Sequence, residues 1–460
     1  MKRSISILFL CILSALSIFA QRNYAQELIN LLQQGKCFEA RDLRTQYADY
    51  LPLNDKAFDL VYKSHMALFF NKPDSISIYL EDLTANHEFA LGPVIGVYYG
   101  KLLQMYDETQ QFEKGIKLCD KIIAYFNRNP FNLAPDLVQN EILQMENAKS
   151  SFKKRDVNEL RRRVERIQNK NTTTKLKNSD YIRFDAKYNN IPMQTWLDTG
   201  VSTYLITTKK VAEEIGVRIV DKDQDSLKMI NGIPTKALVG IIDSIDLKSV
   251  KLYNIPVMIH DGYVLQQSDS LDHDARLRIE KAINEKQIIM GLSIMKMIGK
   301  IEFDWEKGTV SFPESTGKTV TNNSSNIFMM DNNLYQRLKI NGLKFVGHVD
   351  TGDDDFINMT FSFFEKNKSH IEIDSIAEKK PMNHYRATGV FSNIPYEIVK
   401  APKVCLDSKN VNSNTCNVLI TDGTLSHLNT FDGMVGSKFY KHLGLKVIFD
   451  FDNMEIINEN

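Results

Sequence analysis

The sequence predicts a multidomain protein: an N-terminal, all-α, helical-repeat-like region followed by an all-β region of two lobes. Apolar residues recur at helical spacing up to about residue 165. From Tyr181 onward the chain changes to short β-like runs broken by Asn, Asp, Gly and Pro. One motif occurs twice within that second part. The length of 460 residues fits this division, since domains usually have about 100–200 residues.

Composition and charge exclude several classes of protein. The chain has 57 Lys and Arg against 57 Asp and Glu, so its formal net charge is zero. A balanced charge gives no global field that would attract nucleic acid, and we expect no nucleic-acid partner. Five cysteines are too few for a disulfide scaffold, and 43% hydrophobic residues are enough for buried cores.

Residues 1–20 are predicted to be a signal peptide. Lys2 and Arg3 precede an apolar run from Ile5 to Phe19, which is shorter than the roughly 20 residues of a membrane-spanning helix. Cleavage after Ala20 would export the protein to the periplasm, the cell envelope or the extracellular space. The alternative is an uncleaved signal that tethers the N-terminus to the membrane.

Residues 21–165 are predicted to form the helical domain. Phe112, Ile116, Cys119 and Ile122 follow helical spacing. The stretch from Tyr99 to Ile122 resembles a tetratricopeptide-type helix–turn–helix unit, and an irregular helical bundle is the alternative. Either form is a surface for docking a protein partner, and no residue in it predicts catalysis. Whether this region is a removable pro-segment stays open.

Residues 166–180 are predicted to be a linker. Between residues 151 and 180 there are ten basic and four acidic side chains, and the stretch Asn171-Thr172-Thr173-Thr174 is polar. A solvated helix end followed by a linker is favoured over an anion-binding site.

The two predicted lobes, residues 181–318 and 319–460, contain the same pattern in the same order. In each, an Asn-Asn or Asn-Gly turn precedes an Asp-Thr-Gly sequence, and the aspartates Asp198 and Asp350 follow their turns by eight residues. Two apolar residues and a glycine then follow each aspartate, ending at Gly291 after 93 residues and at Gly436 after 86. Two matched copies predict a specific chemistry more strongly than a single Asp-Thr-Gly.

This double pattern resembles the aspartic peptidases, with their pepsin-like and retropepsin-like lobes. The resemblance covers about residues 181–460 and implies a bilobal acid protease fold. It makes Asp198 and Asp350 the catalytic pair of an aspartic-type endopeptidase acting on a peptide or protein substrate. It also assigns the supporting residues of the two catalytic loops: Thr199, Gly200, Ser202, Thr351 and Gly352. Thr199 and Thr351 would cross-bond where the lobes meet.

The implied chemistry needs two carboxyls and a water molecule. Two carboxylates side by side share one proton, because both cannot ionise comfortably. The ionised member accepts a proton from the water, and the protonated member polarises the scissile carbonyl. The resemblance therefore implies no metal and no cofactor.

The resemblance further implies a flap hairpin in each lobe. Candidates are the stretch from Met229 to Pro234, centred on Gly232, and the stretch from Ala387 to Phe391, which contains Gly389. The first lacks the tyrosine of pepsin-type flaps, so its contacts should be closer to those of retropepsins.

Lobe two departs from the family pattern after its Asp-Thr-Gly. Ser202 matches the hydroxyl that braces the first carboxylate, but Asp354 occupies that place in lobe two. An ionised Asp cannot donate a hydrogen bond, and the run Asp353-Asp354-Asp355 should raise the pKa values of the pair. Either the enzyme works at mildly acidic to neutral pH, or lobe two is inactive and the protein is a peptide-binding or scaffold protein. A third alternative pairs each lobe with its mate in another molecule, and a solvated loop edge is the simplest account of the acidic run.

Two further groups give weaker predictions. Asp272-His273-Asp274 has metal-ligand residue types, but Asp274 as a helix N-cap is the better interpretation, and we predict no metal site. Cys405 and Cys416 flank a polar stretch between two β-like runs, where a disulfide and free thiols are both open.

Overall fold

The structure is a computed structural model, and it divides the chain into two compact units at Arg161 and Arg162. It describes residues 23–128, 132–156, 161–167, 172–177, 181–228, 234–260, 277, 287–314, 325–379, 384–386, 389–391, 394–411, 416–421 and 431–459. Of residues 221–228, 234–236, 287, 384–386 and 389–391 it describes the backbone alone. The signal peptide predicted at residues 1–20, Gly232 and Asp272 to Asp274 lie outside the described residues.

The first unit is helical, as the spacing of its apolar residues predicts. Its helices are α1 (Tyr24–Gln33), α2 (Cys37–Gln46), α3 (Lys56–Phe69), α4 (Pro73–Asn86), α5 (Glu88–Leu91), α6 (Ile95–Glu108), α7 (Phe112–Arg128) and α8 (Pro135–Arg155), with short 3-10 turns at Ala48–Tyr50 and Gly92–Val94. Asp55 begins α3 as an N-cap, accepting from the amides of Ala57 and Phe58. Proline at the first turn begins α4 and α8.

The helical unit has its own apolar core. Phe112, Cys119 and Ile122 are buried on α7, at the positions that the spacing predicts. Gly115 lies on the same helix, and a Cβ there would come within 2.8 Å of the Phe152 ring of α8. The two helices can therefore pack closely only with glycine at this position. Among the described residues, no helix is both long and apolar enough to cross a membrane.

The second unit is rich in strands, as predicted. Its first half contains β1 (Arg163–Arg166), β2 (Thr174–Lys175), β3 (Arg183–Tyr188), β4 (Ile191–Leu197), β5 (Leu205–Thr208), β6 (Arg218–Lys228), β7 (Pro234–Asp246), β8 (Val250–His260), β9 (Gln287–Met290), β10 (Lys300–Asp304) and β11 (Thr309–Ser311), with helices α9 (Lys209–Glu214) and α10 (Leu292–Ile298).

The second half of this unit repeats the plan. It contains β12 (Ile327–Met330), β13 (Asn333–Ile340), β14 (Leu343–Asp350), β15 (Ile357–Met359), β16 (His384–Arg386), β17 (Gly389–Phe391), β18 (Glu397–Ile398), β19 (Val404–Leu406), β20 (Lys409–Val411), β21 (Val418–Ile420), β22 (Gly433–Gly436), β23 (Lys446–Asp450) and β24 (Glu455–Glu459), with helices α11 (Phe361–Asn367) and α12 (Ser437–Leu443). We call residues 181–318 lobe one and residues 319–460 lobe two.

The predicted linker, residues 166–180, is instead part of the strand-rich unit. The strand β1 pairs with β8, and β2 pairs with β11. The Arg166 guanidinium donates to the carbonyl oxygens of Phe312 at 2.8 Å and Pro313 at 3.1 Å. Thr174 and Leu176 are buried. Edge pairing with strands far away in sequence therefore overrides the polar composition that predicts a linker.

The two lobes have the same strand topology around their Asp-Thr-Gly loops. In lobe one, β9 lies between β4 and β5, parallel to the first and antiparallel to the second. In lobe two, β22 lies in the same way between β14 and β15. Each lobe thus threads its apolar-apolar-Gly strand through the centre of its sheet, directly beside the strand that leads to the aspartate.

The hairpins that precede these loops turn as the sequence predicts. Asn189 and Asn190 have φ values of 47° and 68°, and Asn341 and Gly342 have 51° and 82°. Two consecutive residues with positive φ form the type of tight turn that matches the twist of a hairpin. Both lobes are therefore fixed in register over the eight residues from the turn to the aspartate.

A third sheet joins the ends of the two lobes. Its strand order is β2-β11-β10-β23-β24, so that β10 of lobe one pairs antiparallel with β23 of lobe two. Lys300 and Asp450, opposite each other in this pairing, form an ion pair at 3.0 Å. The rings of Phe303 and Phe449 pack edge to face at 5.4 Å. This sheet therefore contains strands from both lobes.

Candidate active site

The two Asp-Thr-Gly loops begin where the central strands end. Asp198 follows β4, and its amide donates to the carbonyl of Met290 at 3.0 Å. Asp350 is the last residue of β14, opposite Gly436 of β22. A Cβ at Gly291 or Gly436 would collide with the backbone carbonyl of Thr203 or Asp355, respectively. The glycine that ends each threaded strand is thus required by the loop lying against it.

Thr199 and Thr351 bond reciprocally across the two lobes. Each hydroxyl accepts from the amide of the other threonine at 3.0 Å. Each also donates across the interface: Thr199 to the carbonyl of Val349 at 2.7 Å, and Thr351 to that of Leu197 at 2.9 Å. Both threonines are buried. Four hydrogen bonds therefore hold the bases of the two loops together.

This arrangement brings the Asp198 and Asp350 carboxyls together. The Gly200 amide donates to Asp198 Oδ1 at 2.8 Å, and the Gly352 amide donates to Asp350 Oδ1 at 2.9 Å. A Cβ at Gly200 would lie 2.6 Å from Asp350 Oδ1, and one at Gly352 would press even closer on Asp198 Oδ2. Each carboxyl thus lies over the glycine of the opposite loop, where only a hydrogen fits.

The pair is coupled electrostatically. Partial burial of Asp198, together with the charge and the hydrogen bond of Asp350, raises the pKa of Asp198 well above its ordinary value of 3.8. The amides of Gly200 and Val201 act in the opposite direction. Both carboxyl residues remain partly exposed. The site can therefore hold one proton between two carboxyls that a ligand from solvent can reach.

Ser202 does not brace the carboxylate as the resemblance implies. Its side chain is exposed, and the bonds that the structure describes at the Asp198 carboxyl come from the amides of Gly200 and Val201 and from Asp350. The Ser202 carbonyl accepts from Ser293 Oγ at 2.8 Å. Backbone amides stabilise the carboxylate in place of the expected hydroxyl.

In lobe two the acidic run is divided between different partners. Asp354, at the position matching Ser202, lies 3.7 Å from the Lys438 ammonium. Asp355 accepts from Asn358 Nδ2 at 2.9 Å. Asp353 is the member whose pKa is raised well above 3.8, by burial and then by the charges of Asp355 and Asp350. Sequence reasoning singled out Asp354 and considered Asp353 only as part of the acidic run, although alignment of the two Asp-Thr-Gly copies places Asp353 opposite the apolar Val201.

Carboxylate oxygens of Asp353, Asp354 and Asp355 lie within 4.8 Å of one another, close enough to share a cation. They are the one group of this kind in the part of the chain that the structure describes. Lys438 and Asn358 engage two of the three carboxyls. The sequence analysis predicts no metal site in this protein, and this stays a prediction.

The flap candidates fall in or beside hairpins. In lobe one β6 and β7 pair antiparallel out to Lys228 and Pro234, and the tip with Gly232 is outside the described residues. In lobe two β16 and β17 form a short hairpin in which Gly389 is opposite Arg386. Residues 229–233, Ala387 and Thr388 lie outside the described residues, and the assignment of either stretch as a flap stays a prediction.

No disulfide joins Cys405 and Cys416 in the structure, so the disulfide alternative is not realised. Cys405 Sγ donates to Asn410 Oδ1 at 3.0 Å within the hairpin of β19 and β20. That hairpin turns at Asp407 and Ser408, much sooner than the polar stretch suggests. Cys416 is therefore not on the strand opposite Cys405.

Comparison with known proteins identifies the segment that contains Asp198. Among solved structures, a retropepsin-like aspartic protease from Rickettsia conorii is 17% identical over 33% of this chain and 90% of its own length, with a TM-score of 0.19. No curated protein matches the chain. The family model described as Aspartyl protease matches residues 184–291, from β3 to the glycine that follows β9. Residues 184–291 are therefore similar in sequence to the aspartyl protease family.

Proposed function

We propose that the protein is an exported aspartic endopeptidase in which Asp198 and Asp350, from two lobes of one chain, activate a water molecule. The observation that carries the proposal is the reciprocal bonding of Thr199 and Thr351, which sets the two carboxyls against each other. The aspartyl protease match at residues 184–291 supports the peptidase class. Export rests on residues 1–20 and is tested by fractionating cells that express the full chain or the chain without them.

The raised pKa of Asp198 supports the division of labour within the pair. With one proton shared, the ionised carboxyl accepts a proton from a water held between the two oxygens, and the water oxygen attacks the peptide carbonyl. The protonated carboxyl donates a hydrogen bond to that carbonyl oxygen. Proton return to the leaving amine then completes hydrolysis without a covalent intermediate.

The dyad is tested by cleavage of an unstructured protein substrate such as unfolded casein. We expect Asp198→Asn and Asp350→Asn each to lower kcat/KM by about 10²–10⁴-fold, because either change removes a proton-transfer group. Asp185→Asn is the matched control, since Asp185 is exposed on β3 and pairs with Lys177. It should retain wild-type cleavage.

Equal and substantial residual cleavage in both dyad variants would contradict the proposal. Wild-type protein that binds peptides without cleaving them would favour the alternative of an inactive peptide-binding or scaffold protein. Thermal unfolding separates loss of chemistry from loss of structure. Neither dyad variant should unfold at a much lower temperature, because Asn has nearly the same shape as Asp and keeps the Oδ1 that accepts from the Gly200 or Gly352 amide.

A further inference from the structure

The helices α10 and α12 are each bonded at their N-terminal end to the catalytic loop of their own lobe. In lobe one, the Leu292 amide donates to the Val201 carbonyl at 2.8 Å, and the Ser293 hydroxyl donates to the Ser202 carbonyl at 2.8 Å. In lobe two, the first amide of α12 donates to the Asp353 carbonyl at 2.7 Å. The placement of each helix therefore fixes the loop that carries the aspartate.

At the other end of each helix, the carbonyl of the last residue accepts a hydrogen bond from a side chain. In lobe two the donor to the Leu443 carbonyl is Asn458 of β24. In lobe one the donor to the Ile298 carbonyl is Arg166 of β1. Carbonyls in the last turn of a helix have no partner within the helix, so each side chain satisfies one of them. The guanidinium also places a positive charge at the negative end of the α10 dipole.

The register of the strands shows why lobe one takes its donor from β1. In the hairpins β10–β11 and β23–β24, Val310 and Ile456 are equivalent, since each lies opposite a phenylalanine. Two residues later, Phe312 occupies in lobe one the place that Asn458 has in lobe two. The Phe312 side chain is buried and has no hydrogen-bond donor. Arg166 donates to the Phe312 carbonyl at 2.8 Å and supplies the missing donor at the end of α10.

The segment that contains Arg166, residues 162–167, also contacts the catalytic loop directly. The guanidinium carbon of Arg162 lies 5.1 Å from the centre of the Tyr204 ring. The Tyr204 carbonyl in turn accepts from the Gly291 amide at 2.8 Å. Residues 162–167 precede the residues that match the aspartyl protease family. Lobe one is therefore completed by a segment that comes before the matched residues.

We propose that Arg166 is a positioning residue of lobe one: it fixes the C-terminal end of α10, and α10 holds the loop that carries Asp198. The proposal rests on the proposed function and deepens it, because it makes the seating of residues 162–167 on lobe one a condition for a competent dyad. Arg166 acts through α10. Asn458 has this role in lobe two, so loss of Arg166 should disturb only the loop of lobe one.

The test compares Arg166→Met, which removes the guanidinium, with Asn458→Leu, which removes the donor of lobe two. Arg166→Lys keeps a cation at the end of α10. Arg163→Met is the matched control, since Arg163 is an exposed arginine on the same strand. For each full-length protein, hydrogen–deuterium exchange is followed in the backbone amides of residues 198–204 and 350–356. Separately, kcat and KM are measured for one peptide that the wild type cleaves.

Arg166→Met should accelerate exchange in residues 198–204 by about tenfold or more, because it removes charge-assisted hydrogen bonds at the end of α10. Exchange in residues 350–356 should stay at the wild-type rate. Asn458→Leu should give the reverse pattern with a smaller acceleration. In Arg166→Met, kcat should fall by about tenfold while KM changes by less than about twofold, since a reacting carboxyl is displaced. Arg166→Lys should recover part of the lost kcat.

Equal acceleration in both loops would make Arg166 a general stabiliser of the fold, and unchanged exchange in residues 198–204 would remove its link to Asp198. Either result would overturn the proposal, as would a wild-type kcat in Arg166→Met or an equal effect of Arg163→Met. If Arg166→Met does not fold, Arg166→Lys decides the question by the same comparison of the two loops. Exchange needs no turnover, so a wild type without peptidase activity would refute the proposed function and still leave this inference tested.

Discussion

The two lobes share a backbone plan but differ in the polarity of what they bury. Their turns, threaded strands and loop hydrogen bonds correspond one to one. In lobe two, however, the buried Tyr440 donates to Gln336 at 2.8 Å. The residues at matching distances from the motifs of lobe one are Met295 and Phe184, which are apolar. At these two matched positions, lobe two therefore buries a hydrogen-bonded polar pair and lobe one buries two apolar side chains.

This difference indicates which parts of the pattern are constrained by geometry. The threonines and glycines are identical in both lobes because each is fixed by a contact with the opposite lobe. The backbone amide and carbonyl at positions 201 and 353 form matching bonds within their own lobes, and these bonds do not depend on whether the side chain is Val or Asp. The two lobes therefore have matching backbone bonds around their aspartates. They differ in the charge of the side chain at position 201 and position 353.

The largest expected loss of peptidase activity, and one that should be similar in the two lobes, follows substitution of Gly200 or Gly352. An added methyl group at either position meets the aspartate of the opposite lobe, so Gly200→Ala and Gly352→Ala must displace a catalytic carboxyl. We expect each to lower kcat/KM by about 10²-fold or more, since misplacement of a reacting group by 1 Å costs this much. Peptide cleavage measures the effect.

The control is Gly96→Ala on α6, where a Cβ would meet nothing within 4 Å. It should leave cleavage unchanged and slightly stabilise the helix. A large loss in one glycine variant and none in the other would show that the two carboxyls are not placed symmetrically.

Substitution of either threonine should have a smaller effect, on the free energy of unfolding, and a similar one in the two lobes. Thr199→Val or Thr351→Val removes one hydroxyl, leaves the other threonine's amide without its acceptor, and deprives a carbonyl of its donor. Each should lower the free energy of unfolding by about 1–3 kcal/mol, measured by urea denaturation. Thr199→Ser and Thr351→Ser keep the hydroxyl and should lose much less.

The double Val variant tests whether the four bonds act as one unit. Each hydroxyl forms two of the four bonds. The loss in the double variant should be smaller than the sum of the two single losses, because removing one hydroxyl already loosens the contact between the loops that the other hydroxyl bridges. Strict additivity would mean that the two threonines stabilise the loops independently.

The sequence predicts the turns, the strand glycines and the register of the two loops, because each depends on residues close together in the chain. The turns at Asn189-Asn190 and Asn341-Gly342 need positive φ values, and Asn and Gly tolerate them. Gly291 and Gly436 repeat because a loop carbonyl lies where a side chain would be. Spacing from turn to aspartate fixes the register, so these features could be derived from the printed residues.

The features that the sequence did not predict depend on contacts between residues far apart in the chain. The strand β2 has only two residues, and its pairing with β11 joins segments more than 130 residues apart, which no local pattern encodes. Ser202 occupies the expected position in the motif, but the backbone amides of its own loop take its place at the carboxylate. Asp353 was visible as an acid, yet its burial and its coupling to Asp350 depend on how the loop packs against α12.

The smallest expected effect is on how the free energy of unfolding depends on pH. It concerns Asp353, the position at which the two lobes differ. Folding raises the pKa of Asp353 above 3.8, so the folded state prefers its neutral form. The stabilisation from that proton is complete below the unfolded pKa and is lost as pH rises through the folded pKa. Relative to wild type, Asp353→Val should therefore become more stable between pH 4 and pH 8, by about 1.4 kcal/mol for each tenfold difference in proton affinity.

The reverse substitution in lobe one, Val201→Asp, is the counterpart of Asp353→Val in lobe two. Val201→Asp places a carboxyl at the same position in lobe one and should lose stability as pH rises over the same range. Urea denaturation at pH 4, 6 and 8 measures both variants, with Asp185→Asn as an exposed control whose difference from wild type should vary little with pH. If Asp353→Val and the wild type had parallel stability profiles, Asp353 would ionise as freely in the folded as in the unfolded chain. The acidic run would then be the solvated loop edge that its composition suggests.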